Sequence, residues 1–271
     1  MAGARPHQPR PATPAVPSGP EASAQPAGDL QARPVAPEPL DLVAEELPHH
    51  VAIIMDGNRR WARLHGVSEL EGHAAGVDAI RRLLRHVADR GVPILSLYAF
   101  SRENWGRSDE EVAGLFALLE QAIRSETPGL RAEGVRVRLL GRLGELPPDT
   151  RRSIEGALAE TEGGGRLLLN IAFNYGGRTE LVDAVRALIA HGLQPDEVDE
   201  AAIAGALYTA GLPDPDLVIR TGGEQRLSNF LIWQSAYAEF HSSPLLWPDF
   251  GPRAFDDALL EFASRTRRFG R

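Results

Sequence analysis

The 271-residue chain contains no cysteine, which excludes a disulfide framework, a thiolate zinc site and a cysteine nucleophile. No apolar stretch approaches the roughly 20 residues that a membrane-spanning helix needs, and the amino terminus lacks the apolar centre of a signal peptide. The expectation is a soluble, cytoplasmic protein with at most peripheral membrane contact. Net positive charge is also missing. With 37 acidic against 29 basic residues the formal charge is -8, so no nucleic acid partner is expected, because such binding rests on clustered cations facing a polyanion. Any anion site must therefore be local. Three common signatures are absent as well: without GxxxxGK[ST], GxGxxG or GxSxG, readings as a P-loop NTPase, a dinucleotide enzyme or an α/β-hydrolase lose their usual support.

The first forty or so residues are crowded with proline and alanine and poor in large apolar side chains. Such a segment buries too little surface to offset the entropy of ordering, so residues 1–45 are expected to be a disordered tail. From residue 46 to 271 a single domain is expected. There, short β-rich runs ("VAIIM", "PILSLYAF", "VRVRLL", "RLLLNIAF", "DLVIR") alternate with helical patterns over Ala75–Arg90, Asp109–Arg124, Thr150–Thr161, Glu180–Ala190 and Phe255–Arg265. This alternation predicts an α/β fold with a mostly parallel central sheet flanked by helices. Nearly continuous apolar strands fit burial on both faces. "FDDALLEF", with Asp256 and Asp257 adjacent, reads as the acidic start of an amphipathic helix rather than as a metal box.

In such sheets ligands bind beyond the carboxyl ends of the strands. Four of those ends combine glycine or asparagine with arginine: "MDGNRR", "SRENWGRS", "NYGGR" and "RTGGEQRLSN". Glycine lets the backbone approach a ligand closely, and N–H groups at a helix start can cradle phosphate. Arg59 and Arg60 open a helix where the dipole is already positive, an arrangement disfavoured by roughly 0.3–1 kcal/mol without an anion. With Arg107, Arg178, Arg220 and Arg226 they read as a diphosphate clamp, for which the guanidinium fork is suited. Asp56 would repel that anion unless a divalent cation lies between them. It therefore either caps the following helix or holds a metal such as Mg²⁺. Glu224 and Glu239 are the other carboxylates near this edge.

The ordered set "HVAIIMDGNRRWA", "GHAAG", "LSLYAFSRENWGRS", "LNIAFNYGGR", "DLVIRTGGEQRLSNFLIWQSAYAEF" and "LWPDF" resembles the cis-prenyltransferase family over roughly residues 49–270, its undecaprenyl diphosphate synthases above all. The resemblance implies that fold with an apolar tunnel, and homodimers that add isopentenyl diphosphate to an allylic diphosphate with Mg²⁺, forming Z double bonds. By position it makes Asp56 and Asn104 catalytic, Asn104 in proton removal. It places Gly57, Asn58, Arg59, Arg60, Trp61 and His73 around the allylic diphosphate. Arg220, Arg226 and Ser228 would bind the diphosphate of isopentenyl diphosphate, with Glu239 joining Asp56 at the metal. Ser101, Asn104, Trp105 and Arg107 match the segment that closes over the substrates, and Arg268 to Gly270 match a tail motif that reaches across the dimer.

Three positions depart from the family pattern. Glu69 stands where an arginine commonly binds the allylic diphosphate, Arg59 replaces a frequent glycine, and Gln225 replaces a frequent histidine. Ala99 is expected to leave the tunnel wide and Leu167 to form its floor, with undecaprenyl diphosphate, a lipid carrier precursor for cell-wall polysaccharide, as the product. A specialised terpene diphosphate synthase and a noncatalytic partner subunit remain alternatives on the same scaffold.

Overall fold

The computed structural model describes residues 42–265. The predicted tail up to residue 41 and the Arg268 to Gly270 motif lie outside the described residues. Six strands form one sheet: β1 (His50–Ile54), β2 (Ile94–Ser101), β3 (Val135–Leu140), β4 (Leu167–Tyr175), β5 (Leu217–Arg220) and β6 (Glu239–Ser242). Their order is β3-β4-β2-β1-β5-β6, and every neighbouring pair is parallel. Among the described residues seven α-helices accompany them: α1 (Asn58–His65), α2 (Glu69–Asp89), α3 (Asp109–Ala132), α4 (Pro148–Thr161), α5 (Gly177–Ala190), α6 (Glu200–Ala206) and α7 (Pro252–Ser264).

Five strands fall where the apolar runs predict them. Alternate residues of each serve opposite faces, as the two-residue strand period requires. Val51, Ile53, Leu95, Leu97, Leu217 and Ile219 pack with Leu83 and Val87 of α2 and Phe255, Leu259 and Phe262 of α7. Ala52, Ile54, Ala172 and Val218 pack on the other side with Phe230 and Leu231. Asp256 bonds His86 at 2.7 Å and Arg90 at 2.6 Å, so the acidic pair of α7 is structural at this position, tying α7 to α2.

Chain order leaves β1 by β2 on one side and by β5 on the other, which makes the carboxyl end of β1 the topological switch point. A crevice forms there because the connections after β1 and β5 diverge. Capping keeps the following helix in place: the Ser68 hydroxyl accepts from the Glu71 N–H at 3.2 Å, and Glu71 returns a bond to the Ser68 N–H at 2.9 Å. This is the reciprocal box expected of Ser-x-x-Glu.

A directed polar chain crosses the buried sheet. Asn170 on β4 donates to the Ser96 hydroxyl (2.9 Å), Ser96 on β2 donates to His50 Nε2 (2.7 Å), and His50 Nδ1–H donates to the Pro213 carbonyl (2.8 Å). A carbonyl only accepts, so His50 carries its single proton on Nδ1. Burial is the main reason its pKa falls to about 4. The unfolded chain then takes up a proton near pH 6.5 that the folded chain refuses until about pH 4. The resulting stability is fully present above pH 6.5 and lost as pH falls through this window, amounting to about 3 kcal/mol. Urea unfolding of wild type and His50→Gln at pH 7.5, 6, 5 and 4 should show the extra acid-side slope only in wild type. Equal slopes would remove His50 as its source.

Candidate active site

Two loops meet at the switch point and share one carboxylate. Asp56 follows β1, and its Oδ1 accepts from Arg60 at 3.2 Å while its Oδ2 accepts from Arg220, the last residue of β5, at 3.0 Å. The backbone is locked as well. The Asp56 N–H donates to Thr221 Oγ1 at 2.9 Å, and that hydroxyl donates to the Asp56 carbonyl at 2.6 Å. Gly57 takes φ +120° with Leu246 pressed against its α-carbon, where a Cβ would come within 2.9 Å. Arg60 also donates to the Gly222 carbonyl at 2.8 Å. Gly222 has φ +81°, and a Cβ there would lie 2.1 Å from the Arg60 guanidinium. Both turns thus depend on glycine for conformation and for space.

A polar cleft of about 480 Å³ opens beside Asp56, bordered by Gly57, Asn58, Arg59, Arg60, Arg63, His73, Arg107 and Glu224 among others. Arg63 was not anticipated; it lies one helical turn beyond Arg59, and the four-residue spacing on α1 is the signal that could have found it. Asn58 Nδ2 donates to His73 Nδ1 at 3.4 Å, which leaves the His73 proton on Nε2. That Nε2 and the Asn58 Oδ1 are buried and without hydrogen-bond partners. Burial, followed by the charge of Arg107, lowers the His73 pKa. Arg107 is braced by Glu111 at 2.7 Å. A neutral N–H donor and several cations therefore face one polar space.

Arg59 does not stand free: its Nε bonds Glu69 at 2.9 Å. The two departures at these positions form one ion pair across the α1–α2 junction. Arg220 is 6% exposed, bonds Ser228 Oγ at 2.7 Å and the Arg226 carbonyl, and keeps a buried Nε without a partner. The Arg226 side chain is largely exposed and pairs with Glu224 at 2.7 Å.

Other predicted residues are not gathered into the cleft. Trp61 donates to Asp249 at 2.8 Å and stacks on His65, bracing α1 from outside. Glu239 pairs with Leu217 at the start of β5, the end of the strand remote from Arg220, and binds Arg265 at 2.6 Å. Asn104 caps its own short helix, Arg102–Gly106, by accepting from the Ser101 N–H at 2.9 Å. Ser101, Asn104, Trp105, Arg226 and Ser228 do not border the cleft, and Arg220 meets it only through its bond to Asp56. Among the described residues no group of three or more histidines or carboxylates is placed to hold a metal.

Behind the cleft runs an apolar tunnel of about 220 Å³ between α2, α3 and the sheet. Met55, Asn58 and His73 border both spaces, so the polar cleft and the apolar bore lie side by side and share a wall. Ala99 lines it as expected, but Leu167 does not: Leu169, two residues along the same face of β4, forms the wall with Ile171, Leu130 and Val137. Leu167 is sunk in the core against Val135 and Leu95, among others. From His73 to Leu84 on α2 the bore spans roughly 16 Å at 1.5 Å per residue.

A cationic cleft adjoining an apolar tunnel suits an amphiphile with an anionic head and a hydrocarbon tail, and the relatives agree. A family model described as "Putative undecaprenyl diphosphate synthase" matches residues 54–270. The isoprenyl transferase of Heliobacterium mobile is 49% identical over 228 residues, 83% of this chain and 88% of that protein. That of Brucella suis biovar 1 is 48% identical over 227 residues, 82% and 89% of the two chains. Among solved structures, lavandulyl diphosphate synthase from Lavandula x intermedia in complex with dimethylallyl diphosphate superposes with a TM-score of 0.81 at 37% identity, covering 84% of this chain and all of that one. A "probable undecaprenyl diphosphate synthase" from Campylobacter jejuni gives 0.71 at 33% identity, covering 83% and 99%. With a match of this extent over the fold, the cleft and the tunnel, the chain belongs to the undecaprenyl diphosphate synthase family and is a prenyltransferase.

Proposed function

We propose that the enzyme condenses isopentenyl diphosphate with an allylic prenyl diphosphate, with Mg²⁺, to build a Z-polyprenyl diphosphate of medium length, undecaprenyl diphosphate, for cell-wall polysaccharide synthesis in the cytoplasm. The observation that carries this reading is the arginine-lined cleft lying directly against the apolar tunnel, with Asn58 and His73 bordering both. Arg59, Arg60, Arg63, Arg107 and His73 Nε2–H would hold the allylic diphosphate. As its carbon–oxygen bond breaks, charge builds on the leaving diphosphate, and cations fixed beforehand in a partly enclosed site stabilise it without reorganising. Arg220, Arg226 and Ser228 would hold the second diphosphate beside the first, so that its double bond meets the allylic carbon. The proton then lost from the new chain would pass to a diphosphate oxygen, relayed through Asn104 or Ser101.

The donor set suits a metal carried in with substrate. Asp56 is a partly exposed carboxylate at the cleft, and Mg²⁺ commonly takes one or two carboxylates together with phosphate oxygens and water. When bound it would add Lewis-acid stabilisation of the leaving group. Glu239 would join that site only through a different arrangement from the Arg265 pair seen here. No helix among the described residues is long and apolar enough to cross a membrane. Val182, Val185 and Ile189 leave an exposed apolar stripe on α5 at three- and four-residue spacing, which supports a homodimer; light scattering of Ile189→Asp, read as monomer or dimer, tests it.

A second reading, a terpene diphosphate synthase that joins two allylic diphosphates, draws on the likeness to the lavandulyl enzyme and on Glu69. Incubation with Mg²⁺, labelled isopentenyl diphosphate and several allylic primers, followed by product sizing, separates the two. A ladder ending at a medium-length product is expected; turnover of allylic diphosphates alone would favour the second. In the same assay Asp56→Asn should lower kcat/KM at least about a hundredfold, and wild-type rates would refute the metal role. Glu69→Gln releases Arg59 from an ion pair worth up to about 1 kcal/mol. It should lower KM for the allylic substrate by about fivefold, whereas a higher KM would show that the pair itself is needed.

A further inference from the structure

Of the four glycine- and arginine-rich strand ends, "NYGGR" is the one that the cleft does not use. Arg178 is exposed and borders no part of the cleft. The loop spends its polar groups on its neighbours instead. Gly177 N–H donates to the Asn229 carbonyl at 2.7 Å and Arg178 N–H to Asn229 Oδ1 at 2.9 Å. Gly176 and Gly177 leave no room for a Cβ, which would meet Asn229 at 2.9 Å and Ile232 at 2.8 Å respectively. The motif is a bracket between strand-end loops.

Asn174 is the centre of that bracket. It is fully buried and holds φ +50°, a conformation that asparagine tolerates better than most residues. Its Oδ1 accepts from Trp105 Nε1 at 2.9 Å and from Arg102 at 3.4 Å. Its Nδ2 donates to the Arg142 carbonyl at 3.0 Å and to Glu145 at 3.1 Å. Glu145 in turn binds both Arg102 and Arg142. On the far side of the same segment, Asn229 Nδ2 donates to Glu103 at 2.8 Å. The stretch from Ser101 to Arg107 is thus pinned at Arg102, Glu103 and Trp105, and its last residue, Arg107, borders the diphosphate cleft. β2 stays paired with β4 as far as Ser101 and Tyr175, with register shifts at Tyr98/Phe100 and Phe100/Ser101, so the regular ladder gives out where this stretch begins.

We propose that Asn174 is a positioning residue for prenyl transfer: its side-chain amide, supported by Glu145, holds Trp105 and Arg102 so that Arg107 faces the diphosphate cleft. This rests on the reading of that cleft as the diphosphate site. The test uses inorganic diphosphate with Mg²⁺ as probe and calorimetric titration of the full chain, which needs no turnover. Asn174→Gly keeps the backbone conformation accessible and deletes the amide. Its Kd should rise about fivefold, the worth of one hydrogen bond of roughly 1 kcal/mol, and exchange of the amides of residues 102–107 should quicken. The loss should shrink in a Trp105→Phe background to the part carried by Arg102, because the indole N–H that Asn174 holds is then already gone. Glu145→Gln, which leaves the backbone untouched, should shift Kd in the same direction and serves if the glycine variant fails to fold. Binding by wild type with an unchanged Kd in Glu145→Gln and Asn174→Gly, or additive losses with Trp105→Phe, would overturn the proposal alone. No binding by wild type would overturn the diphosphate reading and the proposal with it.

Discussion

Asp56 is shared by two guanidiniums that arrive from different strands, and the rest of the site is arranged around that sharing. The Arg220 side chain is 8% exposed and that of Asp56 is 30% exposed. Removing the carboxylate would leave Arg220 as a buried charge without its counterion, a change that typically costs about 3–5 kcal/mol. The pairing therefore lets a cluster of cations exist before any anionic ligand arrives. It also fixes where they are: Arg60 is drawn back toward Gly222 and Arg220 toward Ser228, so one carboxylate divides the charge between the two sides of the switch point. Glycine at 57 and 222 follows from this, since each admits a close approach that a Cβ would block.

Why the interior tolerates this arrangement is visible in its unsatisfied atoms. Six buried side-chain polar atoms among the described residues lack partners, and three of them, Asn58 Oδ1, His73 Nε2 and Arg220 Nε, belong to the site. Buried groups without a partner are costly and uncommon in native proteins. Asn58 and His73 border both cleft and tunnel, and the two donors among the three atoms, His73 Nε2–H and Arg220 Nε–H, are of the kind that an anionic head would satisfy. Gly76 contributes to the same junction, because a Cβ there would fall 2.6 Å from Asn58 Oδ1.

Much of this architecture was legible in the sequence, and for physical reasons. Five strands announced themselves as short apolar runs, since a parallel sheet buried on both faces demands them. β6 did not, because "EFHS" is only partly buried and carries three polar residues. Residues attached to a rigid strand end, such as Asp56 and Arg220, come together as their place in the sequence implies. The misplaced ones depend on where a side chain turns after leaving the backbone. Trp61 is on the right helix but reaches Asp249. Leu167 is on the right face of β4 but one inward position short of the bore, where Leu169 stands. The asparagine of "NYGGR" is not legible beside its arginine and glycines, because its contacts are with segments some 30 to 70 residues away.

Arg59 and Glu69 show how far a pair of substitutions can be read only when seen together. Taken singly, a cation added at a helix start and an anion placed near a diphosphate site have opposite implications for binding. As an ion pair of 2.9 Å between half-exposed side chains, they cancel at long range and leave a guanidinium at the rim of the cleft, held by a contact weak enough to be exchanged. A surface pair of this kind contributes at most about 1 kcal/mol, less than the charge-assisted bonds that a diphosphate offers a guanidinium. On the proposed function the anion would draw Arg59 from Glu69, whereas it would have no comparable claim on Arg220, which is buried and bonded to Asp56, Ser228 and the Arg226 carbonyl. That reading gives the site an exchangeable cation at its rim and a fixed one behind Asp56.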